Sequence, residues 1–176
     1  MEVDLNYQSS FFKDAFDPDD KYFSALAEEL PGALMKKNSD KVAMLFHDLL
    51  SSIASEQHAA SEQHYHAVLH SSLLAAGLEV HSQESGARGR SDIAVFLNDK
   101  IRIVIELKYC KSNKKIVTAA DEERSNKELT VALNKAQKTI RDKDYAGPFR
   151  AARCVVICMA FAIRGRDEVA VRFFEP

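Results

Sequence analysis

The alternation of apolar and polar positions is sharpest between Ser91 and Lys108. Ile93, Val95 and Leu97 recur every second residue, and so do Ile103, Ile105 and Leu107. Period two is the mark of a strand with one face in a core. Asn98-Asp99-Lys100 between the runs suits a three-residue hairpin loop. Pairing Leu97 with Ile101 fixes every later pair and brings Asp92 opposite Glu106. Lys108 falls on the face of Glu106, because strand side chains alternate.

Elsewhere the period is helical. Helices are expected from Pro18 to about Lys36 and from Asp40 to about Ser55, the second capped by Asp40 and striped by Val42, Leu45, Phe46, Leu49, Leu50 and Ile53. A third runs from Ser61 to Ala76 on Tyr65, Val68, Leu69, Leu73 and Ala76, with Gly77 as its stop. A strand from Leu78 to Glu84 precedes the hairpin. A polar loop from Ser112 to Ala120 leads to a long helix, Asp121 to Asp144, broken by Gly147-Pro148. Arg153 to Ala162 is nearly continuous apolar, as a central strand buried on both faces would be, and the long helix supplies a crossover to a parallel neighbour. Glu168 to Phe174 closes the sheet. The class is α/β with a mixed sheet in the order α-β-β-β-α-β, behind a helical N-terminal extension over residues 1–58, with the core domain at 59–176.

A chain of 176 residues is long enough to bury one core. It holds no run of 18 apolar residues and no cationic start leading into an apolar stretch, so the expected address is the cytoplasm, without membrane contact. The abrupt start at Glu2-Val3-Asp4-Leu5 leans toward a fragment of a longer protein. Of the three cysteines, Cys110, Cys154 and Cys158 lack metal-site spacing and read as reduced, with Cys154 and Cys158 in the core. Net charge is −2, yet residues 1–62 carry −7 and residues 100–153 carry +7. The basic surplus begins at the hairpin and follows the long helix, where a phosphate backbone would lie; otherwise it is a solvated helix face. The acidic first third would be a cap or a contact surface for another domain.

Opposed carboxylates with Cβ atoms about 4.5–5.5 Å apart repel each other across a sheet. A hard divalent cation removes that cost, and Mg²⁺ is typically held by one or two carboxylates with substrate phosphate beside them. A nearby ammonium can orient water or steady charge on the phosphate. Asp92, Glu106 and Lys108 therefore point to metal-assisted phosphodiester hydrolysis; the plainer reading is a surface hairpin whose lysine neutralises a chance pair. Asp19-Asp20-Lys21 has the same short pattern but no strand around it and no facing acid. Glu62 prolongs the buried helix stripe by one turn, so it can point inward or serve as a first-turn acid. Glu56 is its rival and falls before the stripe begins.

A helix bearing Glu62-Gln63-His64-Tyr65-His66, then Gly89-Arg90-Ser91-Asp92, then Glu106-Leu107-Lys108, then a long helix ending near Lys143-Asp144-Tyr145, resembles the PD-(D/E)XK nuclease superfamily. It is most similar to the branch found as the C-terminal domain of bacterial proteins with an AAA-type ATPase-like domain. The resemblance implies a restriction-endonuclease-like core and a nucleic-acid substrate, with DNA favoured. It implies Asp92 and Glu106 as ligands of Mg²⁺, with Mn²⁺ as a substitute, Lys108 as the catalytic lysine and Glu62 as an accessory acid. It further implies an ATPase domain as partner. Similar domains often carry a glutamine in the last helix; here that position is Thr139, with Gln137 nearby. A catalytically silent binding module is the alternative, since fold alone does not establish activity.

Arg88, Arg90 and Lys138 are the candidates for phosphate contact, the arginines otherwise being a solvated turn. His64, His66 and His70 read as an exposed helix face, with His66, one turn from Glu62, able to line the active cleft; zinc would need a third ligand that is not evident. Gly86 to Arg90 leads into a strand, which excludes a dinucleotide loop.

Overall fold

The computed structural model describes residues 21–53, 61–82, 85–86, 89–90, 92–112 and 116–176. Among the described residues, helices α1 (Lys21–Met35), α2 (Ser39–Ser52) and α3 (Glu62–Ala75) come first. Strand β1 (Glu79–Ser82), the short ribbon β2 (Ser85–Gly86) and β3 (Gly89–Arg90), and the hairpin β4 (Ile93–Phe96) and β5 (Ile101–Cys110) follow. Helices α4 (Ala119–Asp142) and α5 (Gly147–Ala151), then strands β6 (Val155–Arg164) and β7 (Glu168–Phe174), complete the chain. The main sheet runs β1-β4-β5-β6-β7. Strands β5 and β6 are parallel and the other neighbours antiparallel.

Both faces of the sheet are covered. On one, Ile93, Val95, Ile103, Ile105 and Leu107 pack with Ile157, Met159 and Phe161 against α1, α2 and α3. Phe46 of α2 meets Phe161 edge-on at 5.1 Å, so the first two helices share this core with the sheet. On the other face, Ala160 and Ala162 meet Ala132 and Ala136, and these small residues let α4 approach β6 closely. Val104, Val156 and Cys158 pack there with Ile140 and Tyr145. The result is a three-layer α/β/α arrangement of the restriction-endonuclease-like kind.

The hairpin register is the expected one: Ile93 pairs with Ile105, Val95 with Ile103, and the Leu97 N–H donates to the Ile101 carbonyl at 3.1 Å. Asn98 Oδ1 accepts from the N–H groups of Lys100 and Ile101 at 2.9 and 3.0 Å, which fixes the loop. Gly77 ends α3 at φ +77°, with Leu78 N–H donating to Leu73 and Gly77 N–H to Leu74. Both bonds belong to the Schellman closure that glycine favours.

Several boundaries differ from expectation. The cap of α2 is Asn38, whose Oδ1 accepts from Lys41 N–H at 3.0 Å, rather than Asp40, which lies in the first turn. Helix α4 starts earlier, in a capping box made by Thr118 and Asp121. Gly147-Pro148 opens the short α5 instead of merely ending α4, since proline suits a first helical turn. Strand β6 begins two residues late because Arg153, at φ +59°, is spent closing α5. Cys158 is buried as expected, but Cys154 is only half-buried and lies outside the core. No helix among the described residues is long and apolar enough to cross a membrane.

Candidate active site

Strand β5 carries Glu106 and Lys108 toward α4, and Asp92 stands one step beyond the last pair of the β4–β5 ladder. Asp92 Oδ2 accepts from the Leu107 N–H at 2.9 Å, so the carboxylate extends the ladder by one bond. The Asp92 carbonyl accepts from His66 Nε2–H of α3 at 2.9 Å. Asp92 is thus held at both its main chain and its side chain.

Glu106 is 4 % exposed, an unusual place for a carboxylate. Its Oε1 pairs with Lys108 Nζ at 2.9 Å. Its Oε2 is buried and has no hydrogen-bond partner among the described residues. Burial, then the charge of Asp92, pushes the carboxyl up to about 7, against the pull of Lys108. Burial alone would lower the Lys108 ammonium, but its hydrogen bond to Glu106 and the three surrounding carboxylates outweigh this and raise it.

Glu62 opens α3 and is itself exposed, yet it reaches the cluster. Its Oε1 receives Lys108 Nζ at 3.3 Å, and its Oε2 receives the Tyr109 N–H at 3.1 Å. Lys108 therefore lies between Glu106 and Glu62. Among the described residues, no group of three His, Cys, Asp or Glu closes on a single point as a complete metal cage. Asp92 and Glu106, with the unpartnered Oε2, are hard oxygen donors of the kind a divalent cation takes. Tyr65 fixes the near end of α3: its hydroxyl donates toward the Gly165 and Arg166 carbonyls, each at 3.0 Å, and its ring stacks on Tyr109 at 4.9 Å.

In the sequence Tyr145 marks only the end of the long helix. It is buried behind the cluster, its hydroxyl raised to about 12 by burial and then by Glu106 and Asp92. The Schellman turn at Asp144, φ +47°, places it there, with Tyr145 N–H on the Ile140 carbonyl. The missed signal was a polar-tipped aromatic just past the last turn of an amphipathic helix.

The histidines do not form an exposed face. His64 and His70 are buried, and burial holds His70 down at about 4, with help from His66 and His81. His66 reaches the cluster through its bond to the Asp92 carbonyl. Lys138 projects from α4 and pairs with Asp142 at 2.5 Å on the exposed face of the helix. Arg88, the side chain of Arg90 and Glu56 lie outside the described residues.

A family model described as the PD-(D/E)XK nuclease superfamily matches residues 60–173. Neither the curated proteins nor the solved structures contain a match.

Proposed function

The chain belongs to the PD-(D/E)XK nuclease superfamily, and we propose that it is a divalent-metal-dependent nuclease hydrolysing phosphodiester bonds of nucleic acid, with DNA the favoured substrate. One observation carries this reading: Glu106 Oε2 is buried without a partner beside a second carboxylate, while Lys108 engages only the other oxygen. Such an arrangement costs stability unless a cation completes it. Nucleases of this superfamily generally use divalent metals. Asp92 and Glu106 would hold Mg²⁺, or Mn²⁺ in its place, with Glu62 assisting directly or through water. When bound, the cation supplies positive charge at a phosphodiester oxygen and lowers the pKa of its water.

The chain's own groups do the rest. Asp92 is oriented by the Leu107 N–H and, through its carbonyl, by His66. Lys108 is fixed between Glu106 and Glu62, where its ammonium can orient the attacking water or steady charge growing on the phosphate. Tyr145 keeps the rear of the cluster dry, which strengthens each of these interactions.

A silent binding module is the second reading, favoured by Thr139. Its hydroxyl donates to its own helix, at the Lys135 carbonyl 3.0 Å away, and so does not replace the glutamine common in similar domains. The Glu62 to His66 helix supports the branch found beside AAA-type ATPase-like domains; retention of such a domain on the immobilised chain would test it.

The deciding experiment incubates the chain with plasmid and single-stranded DNA in Mg²⁺, Mn²⁺ or EDTA, beside a folded Asp92→Ala/Glu106→Ala control. Metal-dependent cleavage that vanishes in the control is the expected result. No cleavage by well-folded protein under any condition would transfer the assignment to the binding module.

A further inference from the structure

A groove of about 530 Å³ adjoins the cluster, between the end of β5 and the outer side of α4. Glu62 and Lys108 form part of its wall, so the groove is continuous with the candidate site. Lys111, Arg124, Lys127 and Lys135 supply its cations, and Tyr109 and Val131 its apolar surface. None of these four cations has an ion-pair partner among the described residues. The one further acid in the wall, Glu128, is taken by Arg164 at 2.5 Å. The groove is therefore cationic.

Arg124, Lys127, Val131 and Lys135 follow one another at steps of three or four and form a single stripe on α4. From Arg124 to Lys135 the helix rises about 16 Å. Cations alone would serve a duplex backbone as well as a single strand, and what favours the single strand is the surface between them. Val131 is 60 % exposed in the middle of the cations, while the half-buried Tyr109 closes the end of the groove with its ring packed on Tyr65. Exposed apolar surface interleaved with cations is a surface on which unpaired bases rest while their phosphates are neutralised.

We infer that this groove binds a single strand of nucleic acid and leads it to Asp92, Glu106 and Lys108. The catalytic meaning of that path rests on the nuclease reading; the binding does not. The strand's phosphates meet Lys111, Arg124, Lys127 and Lys135, and its bases lie against Val131. The chemistry is common to single-stranded DNA and RNA.

The test is fluorescence anisotropy in EDTA over a salt series, with a short labelled DNA strand, its duplex and an RNA strand of the same sequence. A Lys127→Ala/Lys135→Ala variant and a Val131→Glu variant are compared with the parent chain, each with an unchanged melting curve. The single strand should bind at least about tenfold tighter than the duplex, a difference of about 1.4 kcal/mol. The double variant should flatten the slope of log affinity against log salt by about 1.4, since each lost phosphate contact on a single strand removes about 0.7. Val131→Glu should weaken single-strand binding by about tenfold or more. Preference for RNA over DNA would name the strand and keep the groove. Equal or tighter duplex binding, or an unchanged salt slope in the folded double variant, would overturn the inference. A chain that binds single strands yet never cuts sinks the nuclease reading alone. A chain that cuts with metal while both groove variants bind normally sinks the groove alone.

Discussion

Asp92 accepts the Leu107 N–H across the hairpin at 2.9 Å, between the two β5 residues, Glu106 and Lys108, that complete the cluster. The bond gives the carboxylate a structural duty separable from its charge. Asp92→Asn keeps an acceptor oxygen and should unfold in urea at nearly the parent midpoint. Asp92→Ala strands a partly buried N–H and should cost about 1 kcal/mol. Metal-dependent cleavage should vanish in both, because both lose the charge. Cleavage by the asparagine variant at the parent rate would leave Asp92 with the structural duty only.

Glu106 and His70 set opposing pH dependences. Glu106 sits near 7 rather than its ordinary 4.5, so between those values the folded chain keeps a proton that the unfolded chain has lost. Its contribution is complete below about 4.5 and disappears as pH rises through about 7. His70 sits near 4 rather than 6.5, so its contribution is lost as pH falls from 6.5 toward 4. The two offset each other below pH 6.5, and above it only the loss at Glu106 remains. In EDTA the parent should therefore melt lower at pH 8 than at pH 6.5. Glu106→Gln should remove that fall and melt above the parent at pH 8. Mg²⁺ should raise the parent's melting temperature more at pH 8 than at pH 6, and leave the glutamine variant unmoved. An equal Mg²⁺ shift in both proteins would take Glu106 out of the metal site.

The hairpin was legible in the sequence because strand period and loop length leave only one register that buries Ile93, Val95, Ile103 and Ile105. Helix α3 was legible for the same kind of reason, its stripe running into a glycine that the closing turn requires. What stayed hidden depends on how elements meet. His64 and His70 read as solvent-facing because they are polar, yet α3 is buried on most of its circumference. The face that α4 turns to solvent, with Arg124, Lys127 and Lys135 along the groove and Lys138 beside Asp142, follows from its rotation on the sheet, which Leu129, Leu133, Ala136 and Ile140 set. Tyr145 owes its place to a left-handed Asp144, which no periodicity announces.

Glu62 joins two elements far apart in sequence, and its two contacts can be separated. Glu62→Gln keeps an acceptor for the Tyr109 N–H but removes the charge facing Lys108. The fold should survive with little change, because the side chain is half-exposed and surface ion pairs contribute at most about 1 kcal/mol. If Glu62 orients Lys108, the cleavage rate should fall at saturating Mg²⁺ with the metal requirement unchanged. A raised Mg²⁺ requirement with a recoverable rate would make Glu62 a direct or water-linked metal ligand instead.

Arg164 is the one buried guanidinium among the described residues, at 3 % exposure, and it locks α4 to the sheet behind the groove. Its Nε donates to Glu128 at 2.5 Å and its Nη1 to Glu168 at 2.7 Å, while Ser125 also donates to Glu168. Removing one acid leaves the other in place, so Glu128→Ala and Glu168→Ala should each be tolerated better than the pair together. The double variant leaves a buried cation without a counter-charge and should cost about 3–5 kcal/mol, more than the two single losses added. Arg164→Met instead buries an apolar chain and leaves two acids that can turn to water, so it should cost less than the double variant. Urea midpoints for the four proteins order these costs. Simple additivity, or a methionine variant less stable than the double, would show that the network does not hold α4 in this way.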